Sequence, residues 1–287
     1  MKYKSMIIRQ SVDLFFDGYS NVYRAMRVKN SCIFYRAFRK MRLPLNLFFA
    51  KWTHELEKYD DVIIFDNAYA RSITKFIKKR YPEKKVILWY WNSLAEYGGR
   101  NMADGDRYVD EVWTYSKYDT KKYGFCYNTQ FYSKLVEVEK NGFYDILFVG
   151  RDKGRNGKID RLKTELASRG LKVKFITIKR EQDLIPYSQY LKEIGNSKCI
   201  LDLGAYGHSG LSLRPMETLF LKRKLITDND DIVNYDFYRP ENIFIIGKDD
   251  IGKLKGFIES PYKEIDKKMV DYYEFDNWLK RFGKEKK

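Results

Sequence analysis

Four residues able to do chemistry, His208, Ser209, Arg214 and Glu217, crowd together in the stretch LDLGAYGHSGLSLRPMETLFLKRKLITDNDDIVNYDFYRPENIFII, which runs from Leu201 to Ile246. A short apolar run (Cys199-Ile200-Leu201) ends in Asp202, and a loop broken by Gly204, Gly207 and Gly210 carries His208 and Ser209. A helix is expected to open around Pro215, with Glu217 in its first turn, and to feed a strand over Lys224 to Thr227. Flexible backbone, a His, a Ser and Arg214 then meet at a helix N-terminus, where unpaired N–H groups and the helix dipole favour an anion. Glu217 beside them suits a sugar's hydroxyls. An anion socket next to a carboxylate is what a nucleotide-diphosphate-sugar requires.

A second glycine turn precedes this one. YDILFVGRDKGRNGK reads as a strand closing at Gly150, then Arg151, Lys153, Gly154, Arg155 and Gly157 ahead of a helix. Backbone in such a turn can approach an anion, and Lys153 and Arg155 offset diphosphate charge. The spacing is neither GxxxxGK[ST] nor GxGxxG, and strand-to-helix glycine turns are common for geometric reasons alone. Its weight comes from the loop at 204–214: both turns should emerge at the carboxyl edge of one parallel sheet, where open α/β sheets bind ligands. For a base, the first half offers two strand- or loop-end carboxylates, Asp17 in FFDGYS and Asp66 in FDNAY, either of which also suits a plain turn. His54 falls on an exposed helix position. No HExxH, CxxC pair, GxSxG or EF-hand pattern occurs, so no metal site is expected.

The elements that must position these residues alternate along the chain. Strands are expected over Asp61 to Asp66, Lys85 to Tyr90, Glu111 to Tyr115, Tyr144 to Val149, Lys172 to Ile178 and Asn242 to Ile246. Helices are expected over Ala70 to Arg80, Lys117 to Tyr123, Lys158 to Arg169 and Tyr187 to Gly195, with an aromatic one over Met269 to Phe282. Apolar runs separated by amphipathic stretches are the pattern of parallel sheets covered by helices. The polar segment Glu137 to Gly142 divides the chain into two α/β lobes, residues 1–140 and 141–287.

The chain has 287 residues, 55 Lys+Arg against 39 Asp+Glu and a net charge of +16, with a mean hydropathy of −0.58. No apolar run is long enough to span a bilayer, and the N-terminus lacks a secretory signal. Three scattered cysteines offer neither a disulfide framework nor a metal cluster, so a cytoplasmic location is expected. Between Asp17 and Glu55 there is no acid, while Arg36, Arg39, Lys40 and Arg42 are interleaved with apolar residues including Phe48, Phe49 and Trp52. Basic heads and aromatic rings together fit an anionic membrane surface, which would make the chain peripheral at the inner face of the plasma membrane. The same composition would also serve single-stranded nucleic acid, or a basic helix packed on its own domain.

Taken together, YDILFVGRDKGR and HSGLSLRPMETLFLKRKLITDN…YDFYRPENIFII resemble a group of small bacterial glycosyltransferases of capsule, exopolysaccharide and lipopolysaccharide assembly. The resemblance is clearest over Tyr144 to Ile246 and extends weakly into the first lobe through DEVWTYSKYDTKKYG and KKVILWYWNS. It implies a GT-B fold of two facing Rossmann-like lobes, the C-terminal helix returning to the first. It further implies Gly150, Lys153 and Arg155 near the diphosphate, a second phosphate-facing loop of His208, Ser209 and Gly210, and Glu217 on the nucleotide ribose. No cofactor or metal is implied. The partners implied are a nucleotide-sugar donor and a lipid-linked or surface-polysaccharide acceptor, with Asp17 or Asp66 as base if the reaction inverts. Many GT-B enzymes carry a second Glu eight positions before the ribose ligand; Ser209 stands there, which puts that contact with the donor sugar in doubt. Two competing readings are a basic nucleic-acid-binding α/β protein and a catalytically silent GT-B-like assembly partner.

Overall fold

The computed structural model describes residues 3–10, 14–28, 32–94, 107–152, 154–204 and 210–282. The chain divides into two compact units, Met1–Thr129 and Gln130–Lys287. Each is an α/β layer structure around its own parallel sheet.

In the first unit the strands are β1 (Ser5–Arg9), β2 (Val22–Arg24), β3 (Asp61–Phe65), β4 (Lys85–Tyr90), β5 (Glu111–Thr114) and β6 (Cys126–Tyr127). They lie in the order β2-β1-β3-β4-β5-β6, every neighbouring pair parallel. The run DVIIF is buried from Val62 onward and KVILWY from Val86 onward, as strands covered on both faces must be. Helices α1 (Ile33–Lys40), α2 (Ala70–Arg80) and α3 (Lys117–Tyr123) complete the unit. Strands β1, β2 and β6 were not foreseen; each is short, and only pairing makes them part of the sheet, β1 between β2 and β3 and β6 on β5.

The basic segment divides differently from expectation. Trp52 is fully buried, donates its indole N–H to Ala25 O at 2.9 Å and packs against Phe49 and Phe76, so Trp52 and Phe49 belong to the core rather than to a membrane-facing surface. Phe48 is half-buried against Tyr35 and Phe38. Arg36, Arg39, Lys40 and Arg42 are exposed.

In the second unit the strands are β7 (Tyr144–Arg151), β8 (Val173–Ile178), β9 (Ser197–Asp202), β10 (Lys224–Thr227) and β11 (Ile243–Ile245), ordered β11-β10-β9-β7-β8 and all parallel. Helix α4 (Asn156–Ser168) lays Ile159, Leu162 and Leu166 on one sheet face, in a cluster with Phe148, Leu201 and Ile226. Helices α5 (Tyr187–Gly195) and α6 (Leu213–Leu221) follow β8 and β9, and α7 (Leu254–Glu259) follows β11. The expected final helix is two, α8 (Lys267–Tyr272) and α9 (Phe275–Leu279). The break between them is made by Tyr132, whose N–H donates to Tyr273 O and whose carbonyl accepts from Phe275 N, both at 2.9 Å. The rings of Phe131 and Trp278 lie 4.0 Å apart, so the C-terminal helix is packed within the second unit. These contacts also draw residues 130–140 into that unit, moving the division to 129/130 from the 140/141 read in the sequence.

Candidate functional site

In the second sheet the first strand, β7, has β8 on one side and β9 on the other. The chain therefore leaves β7 and β9 toward opposite faces, and a crevice opens outside their carboxyl ends, the usual place for a ligand in an open α/β sheet. The residues that end these strands and begin α6 meet there.

Asp202 closes β9 almost fully buried. One carboxylate oxygen accepts from Arg214 Nη1 at 3.1 Å and the other from Ser212 Oγ at 2.9 Å. Ser212 in turn caps α6, accepting from Arg214 N at 3.2 Å. The helix thus opens at Leu213, two residues earlier than expected, which moves Glu217 to the second turn; the helix dipole does not account for an acid there. Arg214 Nη2 donates to Val149 O at the end of β7, so this guanidinium spans the crevice. Gly150 makes room for it: a Cβ there would come within 2.9 Å of Phe148 Cζ and 3.2 Å of Arg214 Nη2. Gly210, at φ 106°, takes backbone that favours glycine just ahead of the helix cap.

Glu217 faces a cavity of about 300 Å³ lined by Val149, Ile178, Ile185, Tyr187, Tyr190, Leu213 and Arg214, at the lower end of the range of small-molecule sites. The residue is 2 % exposed. It accepts from Tyr190 O–H at 2.7 Å and from Tyr187 O–H at 3.4 Å. Tyr132 lies 2.6 Å from Tyr187. With the Tyr187 proton directed at Glu217, Tyr132 is the donor in that pair, and a chain of phenols ends on one carboxylate. Burial lifts the Glu217 pKa to about 7, against the Tyr190 hydrogen bond, the Arg214 cation and the Tyr187 hydrogen bond, which all lower it. Burial, and then the Glu217 charge, push Tyr132, Tyr187 and Tyr190 upward, so all three remain donors at neutral pH.

Arg155 does a different job from the one its position suggested. It is 7 % exposed, and its guanidinium donates to Leu203 O and, at 3.2 Å, to Arg151 O. It ties the ends of β9 and β7 together beneath the crevice. Burial first, then the neighbouring Arg214, lower its pKa. Asp228 is likewise structural: it accepts from Gly204 N at 2.7 Å and pairs with Lys158, while Asn229 caps the turn that follows, so DND at 228–230 is a turn. Lys153, His208 and Ser209 lie outside the described residues. Tyr132, Tyr187, Tyr190 and Asp202 were not singled out in the sequence; the one signal was the i, i+3 spacing of Tyr187 and Tyr190, which puts both on one helix face.

In the first unit Asp17 is exposed in a turn before Gly18, whose φ is 90°. Asp66 follows β3 and accepts from Trp91 N at 2.7 Å. The sheet's own crossover point lies between β1 and β3, and Arg9 closes β1 there, its guanidinium 4.3 Å from the Phe16 ring centre and 5.7 Å from those of Phe65 and Trp91. Nothing in the sequence marks Arg9, which ends a short strand and belongs to no motif. His54 is exposed at the end of a 3₁₀ turn, Lys51–His54, as expected.

No protein-family model matches the chain, and no curated protein matches it in sequence. Solved structures do. Over 97 % of both chains it is similar to a lipopolysaccharide outer core galactosyltransferase, WaaB, in its apo form, at 14 % identity and a TM-score of 0.49. Over 98 % of this chain and 97 % of the other it is similar to a glycosyltransferase from Rickettsia africae ESF-5, at 9 % identity and 0.44. An alpha-glucosyltransferase in complex with UDP and a mismatched DNA matches 82 % of this chain and 78 % of its own at 13 % identity and 0.47.

Proposed function

We propose that the chain is a glycosyltransferase that moves a sugar from a nucleotide-diphosphate donor to a lipid-linked or surface-polysaccharide acceptor. It works without a metal, at the inner face of the plasma membrane. The observation that carries the reading is Glu217: a buried carboxylate aimed into a cavity at the carboxyl edge of a parallel sheet, beside an arginine that bridges two strand ends. Its oxygens accept from the ribose hydroxyls, while Val149, Ile178 and Leu213 supply apolar lining for the base. The diphosphate lies toward Gly150, Gly210 and the start of α6, where backbone and helix dipole favour an anion. Lys153, His208 and Ser209 are the side chains proposed to meet it.

The transfer breaks the bond between the anomeric carbon and the diphosphate oxygen and forms one to the acceptor oxygen. The acceptor's proton passes to a base, Asp17 or Asp66, if the configuration inverts. The electron pair leaves with the diphosphate, and fixed dipoles at the site stabilise that charge without reorganising.

Calorimetric titration with UDP-, GDP-, CDP- and dTDP-sugars in the presence of a chelator tests this. One nucleotide class should bind. Glu217→Ala should weaken it roughly tenfold or more, since a hydrogen bond to a charged group is worth about 1.5–3 kcal/mol. Absence of binding to all four donors would sink the reading.

A further inference from the structure

Helix α1 carries more apolar surface than its unit covers. At 3.6 residues per turn, positions 33, 37 and 41 run along one side of the helix with 34 next to them, while 35 and 38 lie on another. The second side is packed: Tyr35 is 2 % exposed against Tyr69 and Phe48, and Phe38 lies on Phe48. On the first side Ile33 is 78 % exposed, Phe34 74 % and Met41 58 %, and the following turn adds Leu43 and Leu47. Five of the twelve exposed large apolar residues among those described fall in this one segment. Scattered exposed apolar residues are ordinary; a contiguous group marks an interaction surface.

The same segment is ringed by cations. Arg36, Arg39, Lys40 and Arg42 are all exposed, and none is ion-paired with a described residue. Arg42 holds φ 56° at the end of α1, where Leu43 N donates to Phe38 O and Arg42 N to Arg39 O. That closing turn is normally made by glycine; here an arginine occupies it and projects a charge beside Met41 and Leu43.

We infer that α1 and the turn after it form a docking face for an anionic lipid bilayer, with Ile33, Phe34, Met41, Leu43 and Leu47 entering the interface and the four cations at headgroup level. Three features select this occupant. The apolar residues are mainly aliphatic, suited to acyl chains and not to stacking on bases. Residues 18–54, which build the face, contain no acid to pair with a basic partner. A second copy of a chain with net charge +16 would bring like charges together. The inference gives the proposed membrane placement a surface and does not depend on the transferase reading.

Co-sedimentation with phosphatidylcholine vesicles, with and without phosphatidylglycerol, tests it on the full chain. Binding should require the anionic lipid and weaken at high salt. Ile33→Ser/Phe34→Ser/Met41→Ser should lower partitioning by about tenfold or more. Arg36→Gln/Arg39→Gln/Lys40→Gln should lower it roughly fivefold per charge removed. The control Lys163→Gln/Lys255→Gln/Lys267→Gln removes the same charge from exposed sites in the second unit and should retain most binding. In Phe34→Trp the added indole should shift its emission to the blue on vesicles and be quenched by brominated lipid. Equal loss in the control triple overturns the inference, as does an unshifted Phe34→Trp. So does a dimer, or binding of single-stranded DNA, that the apolar triple abolishes while vesicles go unbound. Donor calorimetry on the same variants separates the two claims: vesicle binding in this pattern with no donor bound refutes the transferase reading and leaves the docking face standing.

Discussion

Glu217 is set by burial on one side and by Tyr190, Tyr187 and Arg214 on the other, and its pKa of about 7 against an ordinary 4.5 has consequences for stability and for binding in opposite directions. A raised folded pKa means that the carboxyl's contribution to stability is fully present below about pH 4.5 and is lost as pH rises through about 7. The difference, 7 less 4.5, corresponds to about 3 kcal/mol. Glu217→Gln, neutral throughout, should therefore melt above wild type near pH 8 and level with it near pH 4. A calorimetric melting gap that does not change with pH would refute this. Donor affinity should run the other way, because the ionised carboxylate is the better acceptor for ribose hydroxyls: it should strengthen through about pH 7 in wild type and stay flat in Glu217→Gln. Tyr190→Phe removes the 2.7 Å donor that favours the ionised form, so its affinity should fall several-fold at neutral pH and recover in part at higher pH.

Helix α5 presents the two tyrosines, and its own position depends on a close backbone approach at its end. A Cβ at Gly195 would lie 2.3 Å from Glu139 O. The Gly195 carbonyl accepts from Asn141 N and Arg223 Nη2, each at 2.9 Å, so the helix end is clasped by the segment that enters β7. Gly195→Ala must push helix and segment apart, and urea unfolding should show a loss of about 3 kcal/mol. The tilt should also loosen donor binding by displacing Tyr190 and Tyr187. Gly154→Ala is the contrast: its φ is 77° but nothing lies within reach of a Cβ, so the cost should be backbone strain alone, about 1 kcal/mol. Equal losses at the two positions would disprove the clasp.

Across the whole molecule the two sheets follow one plan: in each, the second strand lies outside the first, and the third, fourth and fifth run to the other side. Each unit therefore has its own crevice, with Arg9 and Asp66 at one and Asp202, Arg214 and Glu217 at the other. The boundary between the units matters to the second site, because Tyr132, at the end of its phenol chain, and Phe131, against Trp278, both precede the division suggested by sequence polarity. A fragment of residues 130–287 should fold cooperatively and bind the same nucleotide as the full chain. One of residues 141–287 should melt lower and bind it less tightly. Identical melting curves for the two fragments would count against the division at 129/130.

The strands that build the second site were legible because buried parallel strands are unbroken apolar runs, as in YDILFV and KLIT, and a glycine loop leading into a helix announces its own turn. Glu217 could be picked out by its place after that loop. Its partners could not: Tyr190 is 27 residues away and Tyr132 joins only through Tyr187, 55 residues on, so nothing local links them. Arg155 in a glycine turn reads as a phosphate ligand until the fold brings Leu203 O, 48 residues distant, to accept its hydrogen bond. The basic segment makes the same point for apolar residues. Composition established that Phe49, Trp52, Ile33 and Phe34 avoid water and that cations surround them. Which of them found cover was decided by neighbours from elsewhere in the chain, because burial depends on what the fold lays against a side chain, and the side chain's own chemistry sets only how much it gains from being covered.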